Sequence, residues 1–194
     1  YMQYRGASKI IERLRNAAKG EKGGTLWHTQ GTGKTLTMMF VIRKMYNSYD
    51  LNNYKVVLIV DRKDLQTQMF KTTKTVKYAI NIAGSIDGLK DLIKNTASDV
   101  TVAMVHKFGE AEKNKDKKDK KKSGSLEQRT SVSTFPVLNT SDRILVMIDE
   151  AHRSEYSELA ANMWKSMPNS VKVAFTGTPI TKTVDNFGGY IDTY

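Results

Sequence analysis

Cysteine is absent from all 194 residues, which rules out a disulfide framework and any thiolate metal site and makes an intracellular setting the expectation. Long apolar runs are missing too: none approaches the ~20 residues that cross a bilayer, so no membrane partner is expected. The opening YMQYRGAS lacks a signal-peptide pattern and reads as a segment cut from a longer protein. Negative charge is the scarcer sign. Against 31 Lys and Arg there are 20 Asp and Glu, giving +11 and a pI near 9.7, a balance that points toward a polyanionic partner. Much of that excess is local, because KNKDKKDKKK at 113–122 carries seven Lys and two Asp, or +5 of the +11. The stretch around it, about 109–140, is rich in Ser, Thr and Asn and long for an ordinary connection, so a flexible Lys-rich surface insertion is expected there. The insertion could add salt-dependent DNA affinity or be only a solvated loop. The length otherwise fits one domain over 1–194.

What is present begins with HTQGTGKT, residues 28–35. GTLWH before it reads as a strand and LTMMFVIRKM after it as a helix, the context a phosphate-cradling loop requires. Gly31 and Gly33 allow the main chain to curl until several N–H groups converge on one anion at the positive end of the following helix. Lys34 would reach the β- and γ-phosphates of ATP, and the Thr35 hydroxyl would hold Mg²⁺. The strict pattern GxxxxGKT/S has Gly where His28 stands, so the match is to the looser helicase-type loop, and a plain Gly-rich turn is the competing reading.

RILVMIDEAH at 143–152 supplies the second half of such a site. Ile144 to Ile148 form a continuous apolar run suited to a strand buried on both faces, with Asp149 and Glu150 where it ends. Open α/β sheets bind ligands at those carboxyl ends, so Asp149 is placed to bind Mg²⁺ through water and Glu150 to orient or deprotonate the attacking water. His152 is equally a coupling residue or a satisfied structural histidine. A helical stripe, Ala7, Ile10, Ile11, Leu14, Ala17 and Ala18, spans 5–19 and is closed by Gly20. Buried strands are predicted at 56–60, 100–105, 144–148 and 171–175, with helices at 62–71, 88–95 and 155–165. That alternation predicts an α/β domain, a mainly parallel sheet with helices on both faces.

In chain order, GTLWHTQGTGKTLTM, VVLIVDRKDLQTQ, VMIDEAHRSEY and VAFTGTPI resemble motifs I, Ia, II and III of the superfamily-two helicases. They are most similar to those of the motor (R) subunit of type I restriction endonucleases; WHTQGTGKT, DRKDL and EAHRSEY carry that likeness, with MVHKF and NFGGYIDTY similar to further stretches. The resemblance implies the first RecA-like P-loop NTPase domain, a three-layer sandwich, of an ATP-dependent double-stranded DNA translocase. Such a subunit works in the prokaryotic cytoplasm with methyltransferase and specificity subunits and cuts DNA with a separate nuclease domain.

The resemblance also implies roles. Thr29, Gln30, Gly31, Thr32, Gly33, Lys34 and Thr35 would bind the phosphates and Mg²⁺, and Gln3 would stand where the family's adenine-contacting glutamine does. Asp61, Arg62 and Lys63 match the motif that touches the DNA backbone, and Thr176, Gly177 and Thr178 would link nucleotide state to DNA grip. These 194 residues hold neither a second RecA-like half with an arginine finger nor a nuclease core, so this piece is expected to bind Mg-nucleotide but to hydrolyse ATP very slowly. Another superfamily-two motor, a remodeller or RNA helicase, stays open, as does a non-catalytic nucleotide-binding interaction module; Asp149 and Glu150 argue against the last.

Overall fold

The computed structural model describes residues 1–18, 20–60, 79–104, 136–149, 164–179 and 181–193. Its elements are α1 (Met2–Asn16), β1 (Gly24–Trp27), α2 (Lys34–Tyr46), β2 (Lys55–Val60), β3 (Ile80–Ala83), α3 (Ile86–Lys94), β4 (Val100–Met104), β5 (Ile144–Asp149), β6 (Val171–Thr176), α4 (Thr181–Phe187) and β7 (Tyr190–Thr193). The seven strands form one sheet in the order β3-β4-β2-β5-β6-β1-β7, and every neighbouring pair is parallel. Parallel strands need crossover connections, so both faces are covered. This is the predicted RecA-like α/β architecture.

The burial patterns follow from that position. Every residue of β2 and β5 is buried, as an unbroken apolar run in the sheet centre requires. Alternate strand residues feed two cores. Val56, Leu58, Leu145, Met147, Val173 and Phe175 pack with α1 and α2 on one face; Val57, Ile59, Val146, Ile148 and Ala174 pack with α3 and Phe187 of α4 on the other.

The four predicted strands appear within a residue or two of their expected bounds, and the helix expected at 88–95 is α3, capped by the Ser85 hydroxyl accepting from the Gly88 N–H. The first helix differs. It starts at Met2 and ends at Asn16, where Ala17 turns extended (ψ 148°), because Ala7, Ile10, Ile11 and Leu14 find the core while Ala17 and Ala18 do not. Gly20, at φ 97°, belongs to the turn after it. The helix expected at 62–71, all but the end of that at 155–165, and the insertion up to residue 135 lie outside the described residues.

At the amino ends of the strands a buried ion pair ties the sheet together. The Lys55 ammonium on β2 donates to Asp99 at 2.5 Å, just before β4, and Asn81 on β3 donates to the other carboxylate oxygen at 2.7 Å. Neither charge is more than 4 % exposed, so removing one partner leaves the other buried and uncompensated. Lys55→Met is expected to lower unfolding free energy by about 3 to 5 kcal/mol, read by urea denaturation; a loss under about 1 kcal/mol would show that water reaches the pair.

Candidate nucleotide-binding site

β1 ends at Trp27, and the chain then leaves the carboxyl edge of the sheet as the predicted loop. The His28 N–H still donates to the Thr176 carbonyl at 3.0 Å, so the root of the loop is held as a last rung of the β1–β6 ladder. Beyond it, Thr29 and Gln30 are exposed, Gly31 has φ 82° and Gly33 has φ 77°. Both glycines occupy the left-handed region, where side chains are strained, and this makes the curl possible. The Thr32 hydroxyl donates to the Thr29 carbonyl at 2.6 Å and tightens it. Gly33 is the N-cap of α2 and offers no capping side chain, so the positive end of the helix faces the loop without a side-chain cap.

Lys34 and Thr35 open that helix. Lys34 is buried, and its ammonium donates to the His28 carbonyl at 3.4 Å, across the concavity of the loop. A cation folded back on the loop's own carbonyl over such a cradle fits a nucleotide polyphosphate. The fit extends to the neighbouring strand. A Cβ on Gly177 would come within 3.2 Å of the Gln30 nitrogen and 3.3 Å of the Lys34 ammonium, so glycine lets the TGT turn lie on the loop without displacing either group. The Thr178 N–H donates to the Thr176 hydroxyl and shapes that turn, and the Trp27 indole N–H donates to the Gly177 carbonyl at 3.2 Å.

Asp149, the last residue of β5, is buried and pairs in register with Phe175, which in turn pairs with Leu26. It stands two strands, roughly 10 Å, from the strand that launches the loop. Asp149 thus ends on the same edge of the sheet from which the loop leaves. Among the described residues no group of three or more His, Asp or Glu side chains could hold a metal ion.

Gln3, from the first turn of α1, reaches the same loop: its amide donates to the Thr32 carbonyl at 2.7 Å. The structure therefore brings together Gln3, Thr29 to Thr35, Asp149 and Thr176 to Thr178. Asp61, Arg62, Lys63, Glu150 and His152 lie outside the described residues. A cavity of about 510 Å³, lined by Arg15, Asp50, Tyr54, Arg143 and Asn169 among others, is at the opposite, amino end of the strands and has no part in this site.

A family model described as SWI2/SNF2 ATPase matches residues 2–194. The chain belongs to that family. Its SWI2/SNF2 domain is 34 % identical over 204 residues to a putative type I restriction enzyme MjaIXP endonuclease subunit from Methanocaldococcus jannaschii, and 30 % identical over 218 residues to the type I restriction enzyme HindI endonuclease subunit from Haemophilus influenzae. Both alignments use the whole chain, which spans 18 % and 19 % of those relatives' length. Among solved structures, the Sulfolobus solfataricus SWI2/SNF2 ATPase core in complex with dsDNA superposes with a TM-score of 0.55 at 17 % identity, over 95 % of this chain and 33 % of that one. The UvsW helicase from bacteriophage T4 gives 0.52 at 18 % identity, over 98 % and 58 %. These likenesses establish the fold. The predicted kinship with restriction R subunits is thus met by sequence relatives, and the RecA-like fold by structural ones.

Sequence reasoning missed a polar cluster beneath the SWI2/SNF2 loop. Asp192 on β7 accepts from Arg5 Nε at 3.1 Å, Arg5 Nη2 at 3.0 Å and Lys9 at 2.7 Å, and lies 3.4 Å from His28 Nε2. The one signal was an acidic residue inside a short strand, IDT, which an exposed strand would equally carry. Burial pushes the His28 imidazole below its ordinary value, and the Asp192 carboxylate only partly restores it. Burial opposes ionisation of Asp192, but hydrogen bonds from Lys9, Arg5 and His28 together hold its carboxyl below the ordinary range. An ionised Asp192 and a neutral His28 donating from Nε2 satisfy both shifts.

Both folded values lie below the unfolded ones, so each group stabilises above its unfolded value and that contribution is lost as pH falls. The His28 share is expected to fade below pH 6.5 and the Asp192 share below pH 3.8. Thermal unfolding followed against pH should therefore fall in two steps, and His28→Gln should remove the upper one; an unaltered upper step would assign it to another group.

Proposed function

We propose that this chain is the ATP-binding motor domain of a type I restriction endonuclease R subunit, which couples ATP hydrolysis to translocation of double-stranded DNA. The observation that carries the reading is the contact between the TGT turn and the phosphate loop, with Asp149 at the end of the adjoining strand. That arrangement supports a nucleotide site built to transmit its state, and the full-length relatives are endonuclease subunits by name.

In this mechanism the loop amides and Lys34 bind the β- and γ-phosphates and neutralise charge as the terminal bond breaks. Thr35 and Asp149 are the residues that would hold Mg²⁺, whose contribution is to polarise the phosphates. Glu150, next in sequence, would orient the attacking water, and Gln3 would contact the adenine ring. As the terminal phosphate departs, Lys34 loses that contact and the loop shifts against Gly177; Thr176 to Thr178 pass the change along the carboxyl edge of the sheet. His152, Asp61, Arg62 and Lys63 would couple it to the DNA backbone. Contacts of this kind follow phosphates, so DNA binding should be independent of sequence and sensitive to salt. Methyltransferase and specificity subunits would be the partners in the assembled complex, in the cytoplasm of a prokaryotic cell. Among the described residues no helix is long and apolar enough to cross a membrane.

Mg-ATP should raise the melting temperature of the chain, and Lys34→Ala should abolish the rise; an undiminished shift in the variant would overturn the phosphate-loop assignment. The 194 residues alone should hydrolyse ATP about 10³- to 10⁵-fold more slowly than a two-domain motor containing them, for want of an arginine finger. In that longer protein duplex DNA of any sequence should stimulate turnover. Stimulation by RNA instead would favour an RNA helicase, and vigorous hydrolysis by the short chain would remove the need for a second half.

A further inference from the structure

Asp192 sits in β7, the strand at one edge of the sheet, yet its side chain is only 2 % exposed. An aspartate is buried to that degree when it is paired, and the pairing here is lopsided. Three of the four bonds come from α1, at 2.7 to 3.1 Å, from Arg5 and Lys9, which stand four residues apart on one helix face. The approach of His28 is longer, at 3.4 Å. Arg5 also donates to the Thr193 carbonyl at 3.2 Å, so the helix is attached to the strand's main chain as well. By bond length and charge, Asp192 chiefly holds α1.

The rest of α1 does not need that attachment. Ile10, Ile11 and Leu14 bury the later turns against the core, whereas Tyr1 and Tyr4 in the first turn are largely exposed. The first turn nevertheless carries Gln3, whose amide reaches the Thr32 carbonyl in the loop. Close by, Gly6 approaches the loop root so tightly that a Cβ there would come within 3.0 Å of the His28 ring. Close packing at Gly6 and Ala7 seats the helix on the loop root, and the Lys44 ammonium lies 3.8 Å over the Tyr4 ring, while the bonds of Arg5 and Lys9 to Asp192 fix the turn that carries Gln3.

We propose that Asp192 is a positioning residue for the nucleotide site, holding the first turns of α1 through Arg5 and Lys9 so that Gln3 props the outer arm of the phosphate loop. The inference rests on the nucleotide-binding reading given above. Its carboxylate touches neither the loop's outer arm nor the space a phosphate would fill. Loss of the charge removes the carboxylate that Arg5 and Lys9 share, which loosens the first turn over the loop and weakens the Gln3 bond to the Thr32 carbonyl. The core beneath keeps its apolar contacts.

The test is a double-mutant cycle on the chain, with Mg-ATP dissociation constants measured by calorimetry well below each variant's melting temperature. Asp192→Asn is expected to weaken binding about tenfold. Gln3→Ala should weaken it by a similar factor, and the double variant should be no worse than the weaker-binding single one. Arg5→Gln, which leaves Lys9 and His28 on the carboxylate, gives a second cycle with the same criteria and decides the matter if Asp192→Asn fails to fold. Wild-type affinity in the Asp192 and Arg5 variants, or losses that multiply with that of Gln3→Ala, would overturn the proposal, since a merely structural role has no reason to act through Gln3. Failure of the unaltered chain to bind Mg-ATP would instead bring down the nucleotide reading on which the proposal stands.

Discussion

Parallel pairing of β5 with β6 and of β6 with β1 is the constraint on which everything else depends. All three strands run the same way, so all three end on one edge, and the segment leaving each of them is delivered to one place. The glycine loop, the TGT turn and Asp149 are separated by well over a hundred residues of chain at the extremes, yet they share one edge of the sheet because Leu26, Phe175 and Asp149 are neighbours in register. A slip of one residue in β6 would move Thr176 away from the His28 N–H and reverse which side chains face each core. Register is protected against that slip by burial on both faces, since Phe175 and Ala174 belong to opposite cores.

The parts of this arrangement that are legible in the sequence are those with a strong local pattern. ILVMI and VVLIV are apolar runs too dense for anything but buried strands, and GTGKT demands left-handed glycines ahead of a helix. Both patterns arise within a few residues, and the structure keeps both. β3, β7 and α4 are not legible in this way, because INIA and YIDT lie at the edges of the sheet and are only partly buried. An edge strand owes its existence to its neighbour's unpaired backbone more than to its own side chains, and single-sequence patterning does not register that dependence. The end of α1 is misplaced by pattern alone for a related reason: the apolar stripe continues through Ala17 and Ala18, but there is no core left for it to meet.

The site divides the same way. Gln3, the loop and the TGT turn are recognisable as motifs, and their mutual contacts follow from the fold. The Asp192 cluster is not recognisable, since Arg5, Lys9, His28 and Asp192 are ordinary solvated residues until β7 lies beside β1 and α1 covers both. In the sequence His28 is visible only as a departure from the glycine of the strict loop pattern. In the structure its backbone anchors the loop to β6 and its ring fills the gap against Gly6. The departure is thus a local solution to packing a helix close over the loop root.

Trp27 gives the molecule an optical property that its chemistry does not require. The indole is 39 % exposed, lies 5.8 Å from the Tyr190 ring and donates its N–H across to Gly177, bridging the base of the loop and the turn that rests upon it. Indole emission responds to solvent contact and to the loss of such a bond, so any change in the gap between loop and turn is written into the colour of Trp27. The chain's other tryptophan, Trp164, packs edge-on against Phe187 and beside Lys172 near the start of β6, at the far end of that strand. The two fluorophores therefore report on opposite ends of the same strand, one beside the loop and turn and one in the frame.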